Sequence, residues 1–271
     1  MQAPFRPISH SWVASHPNPI GVVEFIGGAM YGMVPHLAYA YFLSRLYEAG
    51  YSVIAVPAPP GFQHGAIAQG LLQERNIIRS LLQYPPELPH IWVGHSLGCK
   101  YISLLEASGK IMDQPSLFIA PDISDTSDAL PIPALSRLLD RWQLGANPTR
   151  RDTQALIAAS PFFNLSALIS FEHDAIAGNG RGAIAQSDVA WFLHELKAKQ
   201  GAHILWQELP GQHREPIGIL LGDWLICPNR TKPLVPIISR QLEALTCELL
   251  AKLTSLTNHG VANHLSEQAI W

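Results

Sequence analysis

Cysteine is scarce in this chain: Cys99, Cys227 and Cys247 are the only three among 271 residues. They are odd in number and far apart. Without a paired C-x-x-C spacing they exclude a disulfide framework and the familiar zinc and redox motifs, so the expectation is reduced thiols, no metal and no cofactor. Charge is also thin, with 14 % Asp, Glu, Lys and Arg and a formal net charge of −3. That leaves no basic field for phosphate contacts, which removes nucleic acid from the expected partners. Long apolar runs are missing too. None reaches the ~18 residues that a membrane span needs, and the nearest approach, Pro216 to Pro228, is interrupted by Asp223 and closed by prolines. The first residues lack the positive start and apolar stretch of a secretory signal. The expectation is a cytoplasmic protein without a transmembrane segment, its oligomeric state unspecified.

What is present is 48 % apolar residues, enough for a core that needs no covalent staples. Short apolar runs alternate with helical patterns from about residue 11 to 207, the signature of a mostly parallel sheet with helices on both faces. Strands are expected at Ile20–Ile26, Tyr51–Val56, Ile91–Val93, Ser116–Ala120, Ala167–Phe171 and His203–Trp206, within a sheet of about seven. Helices are expected at Pro35–Ala49, Ile67–Leu82, the stretch up to Ser108, Ser187–Lys199 and about Pro236–Leu253. Neither a repeat nor a linker divides the chain, which reads as one domain, 1–271. The alternation lapses only between about 122 and 164, which reads as an inserted helical lid. There Leu135, Leu138, Leu139 and Trp142 form an apolar stripe at helical spacing, which either packs on the body or roofs a pocket.

Gly94-His95-Ser96-Leu97-Gly98 carries the strongest chemical signal. It follows a strand and opens a helix, the context of a G-x-S-x-G nucleophile elbow and hence of an α/β-hydrolase fold. A serine on so sharp a turn is strained, and glycines beside it let strand and helix approach without a Cβ clash. The helix start then offers free N–H groups to developing negative charge.

Serine needs a base to take its proton, and the base needs an acid to hold its tautomer; in this fold the chain order is serine, acid, histidine. Asp174 follows the strand ending at Phe171, and His213 lies in a glycine-containing loop after the last strand of the series. Asp122, at the end of the preceding strand, and Glu172 are rival acids. The oxyanion hole is expected from the Leu97 N–H and a second donor, Gly28 or Ala29, in the loop Gly27-Gly28-Ala29-Met30-Tyr31-Gly32. Tyr31, His36, His95, Leu135, Leu139 and Trp142 are candidate pocket residues, with His95 and His173 read as supporting or structural. Glu24, inside an apolar strand, is expected to need a structural hydrogen bond.

Glu24–Gly28, Gly50–Ala55, Val93–Lys100 and Leu209–His213 resemble an uncharacterised family, the domain of unknown function thirteen-fifty, within the α/β-hydrolase superfamily. The resemblance runs from about Trp12 past His213. It implies the same fold and triad, and the similarity of Phe171–Ile176 to the family's acid-bearing strand end favours Asp174. The chain departs from the family at Ala120–Ser124, where asparagine is usual, and at Arg214–Pro216, where the pattern is more threonine-like. The functional expectation is a serine hydrolase acting on an ester or thioester of an apolar group, its partner a small apolar acyl substrate. The alternatives are a non-catalytic binding or scaffold protein, or an acyltransferase or lyase using the same site.

Overall fold

A computed structural model describes residues 2–112, 114–123, 125, 145–161, 164–201, 204–228 and 233–268, backbone alone from 258 onward. Eight strands form one sheet: β1 (Arg6–Ile8), β2 (Ser11–Ala14), β3 (Gly21–Ile26), β4 (Tyr51–Val56), β5 (His90–His95), β6 (Ser116–Ile119), β7 (Ser166–Phe171) and β8 (Leu205–Leu209), in spatial order β1-β2-β4-β3-β5-β6-β7-β8. From β4 to β8 every pairing is parallel; β2 joins β4 and β1 joins β2 antiparallel. Pro7, which has no amide hydrogen to give a ladder, sits on the edge strand β1, where such a residue is tolerated.

Among the described residues the helices are α1 (Pro35–Ala38), α2 (Ala40–Glu48), α3 (His64–Leu82), α4 (Leu97–Ala107), α5 (Arg150–Ala159), α6 (Asp188–Gln200) and α7 (Gln241–Gln268). They cover both faces of the sheet, which explains why β3, β4 and β7 are buried at every position and are apolar apart from Glu24, Ser52, Ser166 and Ser170. Side chains alternate between two cores because successive strand residues face opposite ways. Val23 and Phe25 pack with Phe42 and Leu250 on one face. Val22 and Ile26 pack with Ile78, Ile102 and Phe192 on the other. Each such fully buried side chain contributes roughly 1.5–3 kcal/mol.

The structure departs from the sequence expectations at several points. The expected helix Pro35–Ala49 is two helices, interrupted at Tyr39. A hairpin at the amino end adds β1 to the main sheet. The apolar run after Pro216 folds into β9 (Ile219–Leu221) and β10 (Trp224–Ile226), which with β11 (Leu234–Pro236) make a separate three-stranded antiparallel sheet. Within the expected lid, α5 packs on α4, while Leu135, Leu138, Leu139 and Trp142 lie outside the described residues.

Candidate active site

Ser96 sits at the junction of β5 and α4 with φ 55° and ψ −125°, a left-handed conformation that costs a serine about 1–3 kcal/mol. Its amide donates to the Ile119 carbonyl at 3.0 Å and its carbonyl accepts from Cys99 N at 2.9 Å, so the turn is fixed from both sides. A Cβ on Gly98 would lie 2.2 Å from the Ile26 carbonyl oxygen, and one on Gly94 would lie 2.9 Å from Cys99 N. Both glycines are therefore dictated by the close approach of the strand, the helix and the end of β3.

Two loops at the carboxyl ends of β7 and β8 meet this turn. The Asp174 carboxylate, which can only accept, receives the His213 Nδ1–H at Oδ2, 2.8 Å away. That leaves Nε2 as an acceptor, and the Ser96 hydroxyl donates to it at 2.8 Å. Asp174 Oδ1 in turn accepts from the amides of Ile176 and Ala177 at 2.8 and 2.9 Å. The acid and base loops are zipped together by Glu172 N donating to the Leu209 carbonyl and His173 N to the Gly211 carbonyl, each at 3.0 Å. All three side chains, Ser96, Asp174 and His213, are buried. Asp122 is buried as well, and its amide donates to the Ser96 carbonyl at 3.4 Å. Glu172 and His173 are exposed.

The loop after β3 runs directly against the serine: a Cβ on Gly28 would lie 2.7 Å from Ser96 Cβ and 3.1 Å from Oγ. Of the two donors expected from this loop, the Gly28 amide is occupied. It donates to the Tyr39 hydroxyl at 2.9 Å. The Ala29 amide has no partner among the described residues, and Leu97, the first residue of α4, has no intrahelical acceptor for its N–H.

Ser96 and His213 open on a cavity of about 340 Å³ whose lining includes Met30, Met33, Phe62, Leu97 and Ile217. Tyr31 and His95 border it too; His36 does not, because its ring stacks on Trp12 at 3.7 Å between centroids and is held there. Leu135, Leu139 and Trp142 cannot be placed relative to the cavity, since they fall outside the described residues. His64 and Tyr101 line the cavity without having been singled out from the sequence. Burial, helped by the Lys100 charge, pushes His64 down to about 4, so its ring is neutral. A histidine opening a helix and a tyrosine one turn into another carry no local mark of that position.

Residues on either side of the 126–144 segment meet a buried cation. Lys100, on α4, donates to the Pro148 carbonyl at 3.0 Å and to the Ile123 carbonyl at 3.5 Å. Asp188 receives the Ile123 amide at 2.9 Å and Arg150 at 3.0 Å. Ile123 and Pro148 are thus both tied to α4, the helix that follows Ser96. No cluster of three or more His, Cys, Asp or Glu side chains placed to hold a metal ion occurs among the described residues, and no helix there is long and apolar enough to cross a membrane.

Solved structures with a similar fold include a monoacylglycerol lipase of Paleococcus ferrophilus, 14 % identical with a TM-score of 0.50, covering 75 % of this chain and 90 % of that one. The substrate-bound fluorophosphonate-binding serine hydrolase F of Staphylococcus aureus is 13 % identical with a TM-score of 0.52, covering 75 % and 85 %. An esterase of Pyrococcus furiosus is 15 % identical with a TM-score of 0.51, covering 75 % and 77 %. At these identities the likeness is one of fold, and the fold is that of the α/β-hydrolases. No curated protein matches the chain. Residues 4–237 match the family described as "Protein of unknown function (DUF1350)", and a match over that much of the sequence makes the chain a member of that family.

Proposed function

We propose that this protein is a serine hydrolase that cleaves an ester or thioester of an apolar group through an acyl-enzyme at Ser96. The observation that carries the reading is the continuous pair of 2.8 Å hydrogen bonds from Ser96 Oγ to His213 and from His213 to Asp174, set at the wall of a largely apolar cavity.

In this mechanism Ser96 Oγ attacks the substrate carbonyl carbon while its proton passes to His213 Nε2. Asp174 holds the imidazole in the required tautomer and stabilises the imidazolium. The tetrahedral oxyanion is met by the amides of Leu97 and Ala29, and one such donor is typically worth about 2.7–4 kcal/mol of transition-state stabilisation. Collapse breaks the carbon–oxygen or carbon–sulfur bond, and His213 gives its proton to the departing alcohol or thiol. A water, deprotonated by His213, then attacks the acyl carbon; the acid leaves and Ser96 recovers its proton. The apolar lining suits an acyl or alcohol group without charge. That the three cysteines form no disulfide supports a cytoplasmic setting, and the strand–helix alternation of the sequence supports one domain over 1–271.

A series of p-nitrophenyl esters of graded acyl length tests the reading. Wild type is expected to hydrolyse them, and Ser96→Ala to be slower by about a thousandfold or more with unchanged thermal unfolding. Equal rates in the two proteins would overturn it.

A further inference from the structure

We propose that Tyr39 and His95 are positioning residues, a relay that holds the oxyanion loop and the base loop in register around Ser96; the proposal rests on the hydrolase reading above. His95 is the residue between Gly94 and Ser96, and both of its ring nitrogens are engaged in the buried interior. Nε2 lies 2.9 Å from the His213 main-chain carbonyl oxygen, and Nδ1 lies 2.8 Å from the Tyr39 hydroxyl. A carbonyl only accepts, so Nε2 carries the proton. Nδ1 is then an acceptor, and the Tyr39 hydroxyl must donate to it. The Tyr39 oxygen is left to accept, and it does so from the Gly28 amide at 2.9 Å.

Every member of this chain has one permitted role: Gly28 N–H to Tyr39 Oη, Tyr39 O–H to His95 Nδ1, His95 Nε2–H to the His213 carbonyl. Only a neutral His95 permits it. Burial, reinforced by the neighbouring His213, pushes His95 down to about 3, and burial pushes the Tyr39 phenol upward. Neither group titrates where an imidazole base works, so the relay keeps one arrangement throughout.

The relay acts on the two loops that the chemistry needs and the sheet does not fix. On one side, the Tyr39 hydroxyl takes up the Gly28 amide and its ring packs against Gly27, where a Cβ would lie 2.7 Å from Tyr39 Cε2. This fixes the Gly27–Gly28 peptide and occupies its N–H, so the Ala29 N–H is left as the donor of the loop. On the other side, His95 grips the backbone of the base itself. The break between α1 and α2 falls on Tyr39, and its ring there meets Phe25 at 4.7 Å and His95 at 5.6 Å between centroids. Neither residue touches the substrate carbonyl in this account.

Tyr39→Phe keeps the ring and removes the hydroxyl, leaving Gly28 N–H and His95 Nδ1 unpaired. The expected result is a fall in kcat of about 10- to 100-fold, with KM within threefold of wild type. Binding of an alkyl trifluoromethyl ketone, which gives a hemiketal oxyanion on Ser96, should weaken in parallel with kcat/KM. His95→Gln, whose amide can both donate and accept, should retain more activity than His95→Leu at similar thermal stability. A kcat for Tyr39→Phe equal to wild type, or His95→Gln no better than His95→Leu, overturns the relay. Should Tyr39→Phe not fold, the His95 pair decides alone. Undiminished turnover by Ser96→Ala would instead overturn the hydrolase reading itself, whatever the relay variants do.

Discussion

Two ends of the same sheet each bury a carboxylate against a histidine, and only at one of them does the histidine's second nitrogen meet a serine hydroxyl. At the carboxyl ends of the strands Asp174 meets His213 at 2.8 Å. Toward the amino ends, Glu24 accepts from His90 Nδ1 at 3.1 Å, from Arg79 Nε at 2.7 Å and Nη2 at 3.1 Å, and from Gln114 Nε2 at 2.8 Å. The charged guanidinium makes the difference. Although burial alone raises the Glu24 carboxyl, the His90 hydrogen bond and the Arg79 charge outweigh it and hold the group down at about 2. Its oxygens are saturated by an assembly that joins α3, β3 and β5, and no nucleophile takes part. Among the described residues Asp174 has no arginine beside it; two backbone amides and one imidazole satisfy it, and the second nitrogen of that imidazole faces a hydroxyl on a strained turn. A second cavity of about 320 Å³, lined by Arg79, Tyr84, His90 and Thr254 among others, lies beside the Glu24 assembly. A carboxylate, a histidine and a cavity are therefore insufficient. The Ser96 hydroxyl on its strained turn and the Leu97 amide beside it separate the two ends.

The sharpest way to break this comparison is to replace each carboxylate by its amide. Asp174→Asn should cut turnover by up to about ten-thousandfold, because an amide supports the wrong imidazole tautomer, and should leave folding largely intact. Asp122→Asn should stay within about tenfold of wild type. Glu24→Gln should keep kcat within a few-fold but destabilise the fold by about 1–3 kcal/mol, because the neutral amide loses the charge-assisted bonds from the partly exposed Arg79 and has one acceptor oxygen where the carboxylate has two. Ester kinetics and urea unfolding on the three variants check the ranking, and a larger rate loss for Glu24→Gln than for Asp174→Asn would erase the distinction.

A smaller effect follows from pH. The folded Glu24 carboxyl titrates at about 2, below its ordinary value of 4.5, so its contribution to stability is complete above pH 4.5 and is lost as pH falls toward about 2. Urea midpoints between pH 6 and 2 should therefore fall more steeply for wild type than for Glu24→Gln, and the two curves should converge at the acid end. Parallel curves would remove Glu24 from that role.

The elbow was legible because its determinants are local: a glycine on either side of one serine, a strand before and a helix after. Asp174 and His213 were legible because strand ends mark where loops converge in a parallel sheet. Tyr39 was not, since its partner is an amide in a loop eleven residues away, reached only because α1 and α2 part at that tyrosine. The choice between Gly28 and Ala29 as donor depends on that same bond. His36, at the helix start after the glycine loop, left two readings open, a pocket edge or an ordinary helix-start histidine, and it is stacked on Trp12, a residue of a hairpin strand. The strands β9 to β11, three residues each, are too short to show alternation, and their apolar run reads as one segment. Glu24 was correctly marked as needing hydrogen bonds, but Arg79 and Gln114 come from distant elements that sequence spacing does not connect to it.

The central claim, that Ser96 is a nucleophile activated by His213 and Asp174, is tested most directly by intact-protein mass spectrometry after treatment with an alkyl fluorophosphonate. The account predicts one phosphonyl adduct per chain, located by digestion on the peptide that carries Ser96, and no adduct on Ser96→Ala or His213→Ala. Wild type left unlabelled, or labelled on another residue, would contradict it.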